Sequence, residues 1–191
     1  GTVSKINTET MVEEGRYITS PMGAGLPSRT SVSGEGHVAV ANRGRAANDI
    51  GMEAGVTKIF SGEVACVDAN GNGMIDTSTG KDDVKPWGQD ECVAWHTPLN
   101  WISNRAVAWA PSPGPDLPDV LWTAGVPSTS QCLDDPCDFT VLQLNGDTGQ
   151  VNHTVDITGL RGTNMLTAGG NIAGIAIANY GPYGGASDQG G

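Results

Sequence analysis

The strongest chemical signal in the sequence is a run of nine residues, 68–76, that is rich in side-chain oxygen. Its positions 1, 3, 5 and 9 carry carboxylates or amides: Asp68, Asn70, Asn72 and Asp76. Gly73 stands at position 6, and the backbone carbonyl of Met74 is available at position 7. Ca²⁺ takes about six to eight oxygen ligands, and alternate residues can turn toward one ion, so the spacing predicts a calcium loop. The alternative is a turn rich in Asp and Asn that holds no metal.

Four cysteines are the second group with chemistry: Cys66, Cys92, Cys132 and Cys137. Their even number and local order favour two disulfides, Cys66 to Cys92 and Cys132 to Cys137. Zinc is the competing interpretation, but paired Cys-x-x-Cys spacing is absent from the sequence. Disulfides indicate an oxidising compartment, which means a secreted or cell-surface protein.

The calcium loop and the first cysteine pair fall within one acidic segment, residues 61–92. We interpret this segment as an insert that the metal and the disulfide hold together, because it has few apolar residues of its own. Four more acids follow the loop: Asp82, Asp83, Asp90 and Glu91. They could complete the calcium shell or simply solvate a long loop, and the sequence favours solvation.

Composition limits the class of protein. Lys and Arg total 10 against 21 Asp and Glu, a formal charge of -11, which argues against a nucleic-acid partner. No apolar run reaches the roughly 18 residues that a transmembrane helix needs. The 191 residues include 28 Gly and 11 Pro, typical of short strands joined by tight turns. Disorder is the alternative, but five Trp and several β-branched runs argue for a packed core.

Short strand-like units separated by turns fill residues 28–191, whereas residues 1–27 indicate an irregular lead-in or a partial outer strand. The predicted strands are 30–33, 37–42, 56–60, 63–67, 105–109, 119–122, 139–144 and 150–157. The turns at 34–36 and 145–149 contain the glycines that hairpins require. A similar layout recurs over about 150 residues, enough for three units of the usual blade size.

Three segments carry a family resemblance: Pro27–Arg43, Asn145–Gly149 and Gly181–Ala186. They resemble the blades of virginiamycin B lyase-like (streptogramin lyase-like) propellers, and the calcium loop is similar to the loops of integrin-type propellers. The resemblance implies an all-β fold of about three to four four-stranded antiparallel sheets. It also implies that the chain stops inside a blade, so that it is part of a larger or multi-chain propeller.

Evidence for catalysis is weak in the sequence. His37, His96 and His153 have no nucleophile or carboxylate at a diagnostic spacing. The lyases that the chain resembles use Glu and His three residues apart, and no Glu-x-x-His occurs here. We therefore assign no catalytic residue. The tryptophans, at positions 87, 95, 101, 109 and 122, could line a sugar-binding groove, but packing in the core is the favoured interpretation.

The sequence thus predicts a secreted or cell-surface, calcium-stabilised propeller segment that acts as a binding or structural module. The expected partners are a protein or glycan ligand, together with further blades or other copies of the chain. Two alternatives stay open. The chain could belong to a C–O lyase or hydrolase whose catalytic residues lie outside it, or it could bind carbohydrate through its tryptophans.

Overall fold

The computed structural model describes residues 1–21, 25–44, 54–112, 114–127, 139–157, 171–172, 175–178 and 181–185. Across these ranges the protein is built from antiparallel strands, with one 3₁₀ turn at Glu63–Ala65 and no α-helix. The all-β expectation is confirmed. No helix in the described ranges has the length and apolar character needed to cross a membrane.

Two four-stranded sheets form the centre of the molecule. The first runs in chain order through β3 (Leu26–Val32), β4 (Val38–Arg43), β5 (Ala54–Ile59) and β6 (Val93–Leu99). The second runs in the same way through β7 (Trp101–Ala110), β8 (Val120–Pro127), β9 (Phe139–Asn145) and β10 (Val151–Ile157). Each sheet is therefore a simple meander in which every strand pairs with its sequence neighbours.

Two smaller sheets flank the meanders. A hairpin of β1 (Thr2–Ile6) and β2 (Glu13–Ile18) lies within the region expected to be irregular or a partial outer strand. The last sheet contains β11 (Asn171–Ile172), β12 (Ile175–Ala178) and β13 (Gly181–Gly185). Its strand β13 lies beside β7 and β8 of the second meander.

One predicted strand is wrong. Residues 63–67 contain the 3₁₀ turn, in which Ala65 and Cys66 donate to the carbonyls of Gly62 and Glu63. Val64 is fully exposed, so its apolar side chain has no sheet to pack against. The strand that pairs with β5 is instead β6, which begins only after the insert. The insert is thus a long β5–β6 connection.

The main core lies between the two meanders. Strands β4 and β5 are buried on both faces, and Ala39, Val56, Leu121 and Leu144 belong to one continuous cluster there. The turn after β9 closes one end of this cluster. Its Gly146 is buried, and a Cβ at this position would collide with the Asp119 carbonyl and the Trp109 ring, so only glycine fits.

Lys58 crosses from the first meander to this turn. The side chain is almost fully buried, with the residue 4% exposed, and its Nζ donates to the Gly146 carbonyl at 2.8 Å. The ammonium also lies 5.4 Å from the ring centroid of Phe60 and 5.6 Å from that of Trp109. Burial lowers the pKa of Lys58, and nearby carboxylates, chiefly that of Asp147, partly offset this effect.

A buried polar network joins the N-terminal hairpin to the first meander. Asn42 Nδ2 and Thr57 Oγ1 both donate to the Thr19 carbonyl at 2.6 Å, and Thr19 Oγ1 donates to Asn42 Oδ1 at 2.7 Å. All three residues are fully buried. Because such groups are costly to bury without partners, the network fixes one arrangement of the three segments.

Candidate metal centre

The insert is closed at its base by a disulfide. The Sγ atoms of Cys66 and Cys92 are 1.96 Å apart and their Cα atoms 4.7 Å apart, which confirms this predicted pair. Cys92 is buried in a cluster with Tyr17, Val40 and Ile59, so the base of the insert is anchored in packed structure. The second predicted pair, Cys132 with Cys137, lies outside the described residues.

Asp68, the first predicted ligand, organises the backbone of the loop. Its Oδ1 accepts the N–H groups of Gly71 at 2.7 Å and Asn72 at 3.2 Å, and its Oδ2 accepts that of Gly73 at 2.9 Å. Gly71 has φ 71° and Gly73 has φ 82°. These positive angles favour glycine, which explains the repeated Asn-Gly pattern of the loop. One carboxylate therefore gathers three successive N–H groups.

The other three predicted side-chain ligands meet at one atom. Asn70 Nδ2 and Asn72 Nδ2 each donate to Asp76 Oδ2 at 2.8 Å. Asn70 Oδ1 accepts the Asn72 N–H at 2.9 Å, and Asn72 Oδ1 accepts the Met74 N–H at 2.8 Å. The structure therefore brings Asn70, Asn72 and Asp76 together, whereas the Asp68 carboxylate accepts hydrogen bonds from the Gly71–Gly73 backbone. The Met74 side chain is exposed.

The candidate ligands include only two carboxylates. In the described part of the chain, no three His, Cys, Asp or Glu side chains form a group that could hold a metal ion. Any cation in this loop would need amide and carbonyl oxygens as well as Asp68 and Asp76. Such a mixed oxygen set suits Ca²⁺ and does not suit Zn²⁺, which prefers nitrogen and sulfur.

Glu91 holds the loop from outside, a role that the sequence did not predict. Its Oε1 accepts the N–H groups of Ala69 at 2.9 Å and Asn70 at 3.1 Å, and its Oε2 accepts that of Asp76 at 2.8 Å. The start and the end of the loop are thus tied to one carboxylate. The only sequence signal for this role is the position of Glu91 beside Cys92.

Asp90 is a buried anchor, not a solvated loop residue. Its carboxylate accepts hydrogen bonds from the Thr77 hydroxyl, from the N–H and hydroxyl of Ser78, and from the Cys92 N–H. The interpretation of the late acids as solvating groups is therefore wrong for Asp90 and for Glu91. It holds for Asp82, whose side chain is 85% exposed.

Asp83 is intermediate between the buried Asp90 and the exposed Asp82 in its exposure to solvent. It accepts hydrogen bonds from Lys85 Nζ at 3.1 Å and from the Thr79 hydroxyl at 3.0 Å, although it is partly exposed. The hydrogen bond from Lys85 is the main reason that the pKa of Asp83 is below its ordinary value. Asp83 therefore closes the turn after residue 79.

The histidines lie in separate surroundings. His37 Nδ1 accepts the Ser61 N–H at 3.2 Å, and its Nε2 lies 3.2 Å from the exposed Glu35 carboxylate. His96 Nδ1 is 2.8 Å from the Thr57 hydroxyl within the buried network, and His153 is exposed on β10.

The tryptophans contribute mainly to packing. Trp95, Trp101 and Trp109 pack against the core between the meanders, and Trp122 packs against a second cluster around Phe139. Trp87 meets the His96 ring edge-on, with ring centroids 5.3 Å apart. All five are partly exposed.

Comparisons with known proteins add no family to this description. No protein-family model, curated protein or solved structure matches the chain at a significant level.

Proposed function

We propose that the chain is a calcium-stabilised β-propeller segment of a secreted or cell-surface protein, and that it acts as a binding or structural module. The observation that carries the proposal is the convergence of Asn70, Asn72 and Asp76 within hydrogen-bond distance in a loop that the Cys66–Cys92 disulfide frames. Carboxylate and amide oxygens are ligands that Ca²⁺ takes, and metal binding can supply folding free energy to a segment with few apolar residues of its own.

Calcium binding would change the orientation of two side chains. Asn70 and Asn72 now turn their nitrogens toward Asp76, so each amide would rotate to present its oxygen to the cation. The rotation would break the bonds that the two amide oxygens accept from Asn72 and Met74, at about 1 kcal/mol each. Because only two carboxylates offset this cost, we expect a modest calcium affinity. It should be closer to the affinities of extracellular calcium-binding modules than to those of cytosolic calcium buffers.

The topology supports the propeller component of the proposal. Two consecutive four-stranded antiparallel meanders share one hydrophobic cluster, and β13 of the last sheet lies beside β7 and β8 of the second meander. Propeller blades have this strand order, and a closed ring needs at least about four blades. The proposal therefore includes further blades or other copies of the chain as partners, in addition to a protein or glycan ligand.

A non-enzymatic role is favoured over the lyase and carbohydrate-binding alternatives. No observation on the described residues favours either alternative. The disulfide supports the oxidising compartment, because such bonds persist outside the cytosol.

Calorimetric titration of chelator-treated protein tests the proposal. We expect one calcium event in the wild type and none in Asp68→Ala or Asp76→Ala. At a calcium concentration about 100 times the Kd, binding should also stabilise the wild type by about 2.7 kcal/mol in urea unfolding. Asp82→Ala is the matched control, since the Asp82 side chain is exposed and accepts a hydrogen bond from its neighbour Lys81.

Unchanged isotherms in both loop variants would refute the calcium site. Asp76→Asn separates charge from packing, because it keeps a side chain of the same shape at the point where Asn70 and Asn72 meet. If Asp76→Asn binds calcium as tightly as the wild type, then the Asp76 carboxylate is not a ligand.

A further inference from the structure

Three asparagines in the chain are followed by glycine: Asn70, Asn72 and Asn145. In such pairs the backbone nitrogen of the glycine can reach the side-chain carbon of the asparagine, because glycine has no Cβ to obstruct the approach. The reaction needs no enzyme. Whether it proceeds depends on how the local structure holds the glycine nitrogen and the asparagine amide.

We propose that Asn70 and Asn72 form a latent self-modification site, and that the Asp68 carboxylate suppresses the reaction while the loop is closed. In each pair a bond forms between the glycine nitrogen and Cγ, and the bond from Cγ to Nδ2 breaks. The glycine nitrogen loses its proton and ammonia leaves, which gives a succinimide. Water then opens the ring to aspartate or isoaspartate, so that water is the only co-reactant and no redox change occurs.

Asp68 opposes this reaction in two ways. Its Oδ1 holds the Gly71 N–H at 2.7 Å and its Oδ2 holds the Gly73 N–H at 2.9 Å, so both attacking nitrogens are fixed in hydrogen bonds. The attack also requires a deprotonated glycine nitrogen, and a carboxylate a few ångströms away raises the energy of that anion.

The asparagine side chains are restrained as well. Each amide nitrogen, the group that must leave as ammonia, donates to Asp76 Oδ2 at 2.8 Å. Both asparagines are nevertheless exposed, so water can reach them as soon as these bonds open. The closed loop therefore slows a reaction for which the sequence and the exposure are otherwise favourable.

Conversion would change the loop permanently. An aspartate at either position adds one negative charge and moves the sequence toward an Asp-x-Asp-x-Asp-Gly pattern. An isoaspartate adds one carbon to the backbone and shifts the spacing between Asp68 and Asp76. The modification would thus record how long the loop has been open.

Asn145 provides an internal comparison that does not involve Asp68. The Gly146 N–H donates to the Asp119 carbonyl at 2.8 Å, and Asn145 Oδ1 accepts the N–H groups of Asp147 and Thr148. This pair lies at the β9–β10 turn, where Gly146 is buried, so the rate of reaction at Asn145 should follow opening of that turn and not of the calcium loop.

The test measures the reaction at the three asparagines by peptide mapping with mass detection and enzymatic isoaspartate labelling. The full chain is incubated at mildly alkaline pH with a chelator, so the outcome does not depend on calcium binding. In folded wild type all three sites should react much more slowly than in the same chain in denaturant. In Asp68→Ala the rates at Asn70 and Asn72 should rise about tenfold or more, while Asn145 stays unchanged.

Asp82→Ala is the matched control and should leave all three rates unchanged. Reaction of Asn70 and Asn72 at the denatured rate in folded wild type would overturn the proposal, and so would wild-type rates in Asp68→Ala. If Asp68→Ala unfolds the chain, Asn145 will react at the denatured rate too. The milder Asp68→Asn then decides, because the proposal requires a rise at Asn70 and Asn72 that exceeds any rise at Asn145.

Discussion

Replacing Asp90 with alanine should destabilise the fold by about 4 kcal/mol. The carboxylate accepts the backbone N–H groups of Ser78 and Cys92, each at 3.1 Å. These two residues are 1% and 2% exposed, so water cannot replace the lost acceptor. A buried donor left without an acceptor costs about 1–3 kcal/mol, which gives about 2–6 kcal/mol for the two N–H groups. The effect is large against a total stability of about 5–15 kcal/mol.

Urea unfolding followed by circular dichroism measures the effect. Asp82→Ala is the matched control, an acid-to-alanine change in the same insert, and it should stay within about 0.5 kcal/mol of the wild type. Asp90→Asn should fall between the two, because it retains one acceptor oxygen. If Asp90→Ala lies within about 1 kcal/mol of Asp82→Ala, then Asp90 does not anchor the insert and the reasoning from burial fails.

Three further predictions concern charge, covalent structure and assembly. Lys58→Met should abolish a pH-dependent part of the free energy of unfolding. The pKa of Lys58 in the folded protein is below the value of 10.5 for an unfolded lysine. Between the two pKa values the unfolded chain binds more protons than the folded protein, so the wild type becomes more stable as the pH rises. Urea unfolding at a series of pH values should show a wild-type-minus-variant difference that grows over this window, and a constant difference would contradict the assignment. Non-reducing peptide mapping should find Cys132 linked to Cys137, whereas two free thiols there would show that the pairing is wrong. Light scattering should show self-association of the purified chain, and a stable, sharply melting monomer would argue against a requirement for further blades or copies.

Local signals made much of the fold predictable. The β3–β4 hairpin follows from the Gly-Glu-Gly turn at 34–36, and the structure pairs Val32 with Val38 around it. The β9–β10 hairpin follows from the Asn-Gly-Asp-Thr-Gly turn, where Gly149 has a positive φ of 72°. The strand expected at 63–67 failed because pairing beside β5 is decided by β6, about 30 residues further along the chain.

The candidate site also has features that the sequence predicted and features that it did not. The order of the cysteines predicted the Cys66–Cys92 pair. Spacing predicted one cation site with Asp68, Asn70, Asn72, Asp76 and the Met74 carbonyl, and the structure joins three of these residues, Asn70, Asn72 and Asp76, by hydrogen bonds. The bonds of Glu91 and Asp90 could not be read from spacing, because their partners are backbone N–H groups whose directions the folded insert sets. The burial of Lys58 was equally hidden, since its partner Gly146 comes from the other meander, 88 residues away.

Three consecutive residues connect the loop to the body of the protein, each through a different interaction. Asp90 binds the backbone at Ser78 and so fixes the far side of the insert. Glu91 binds both ends of the loop, and Cys92 carries the disulfide into the cluster around Ile59. All three lie on one short segment that leads directly into β6, the edge strand of the first meander, so opening of the loop would release contacts next to that strand. A ligand that orders the loop would therefore stabilise the whole sheet and not the insert alone.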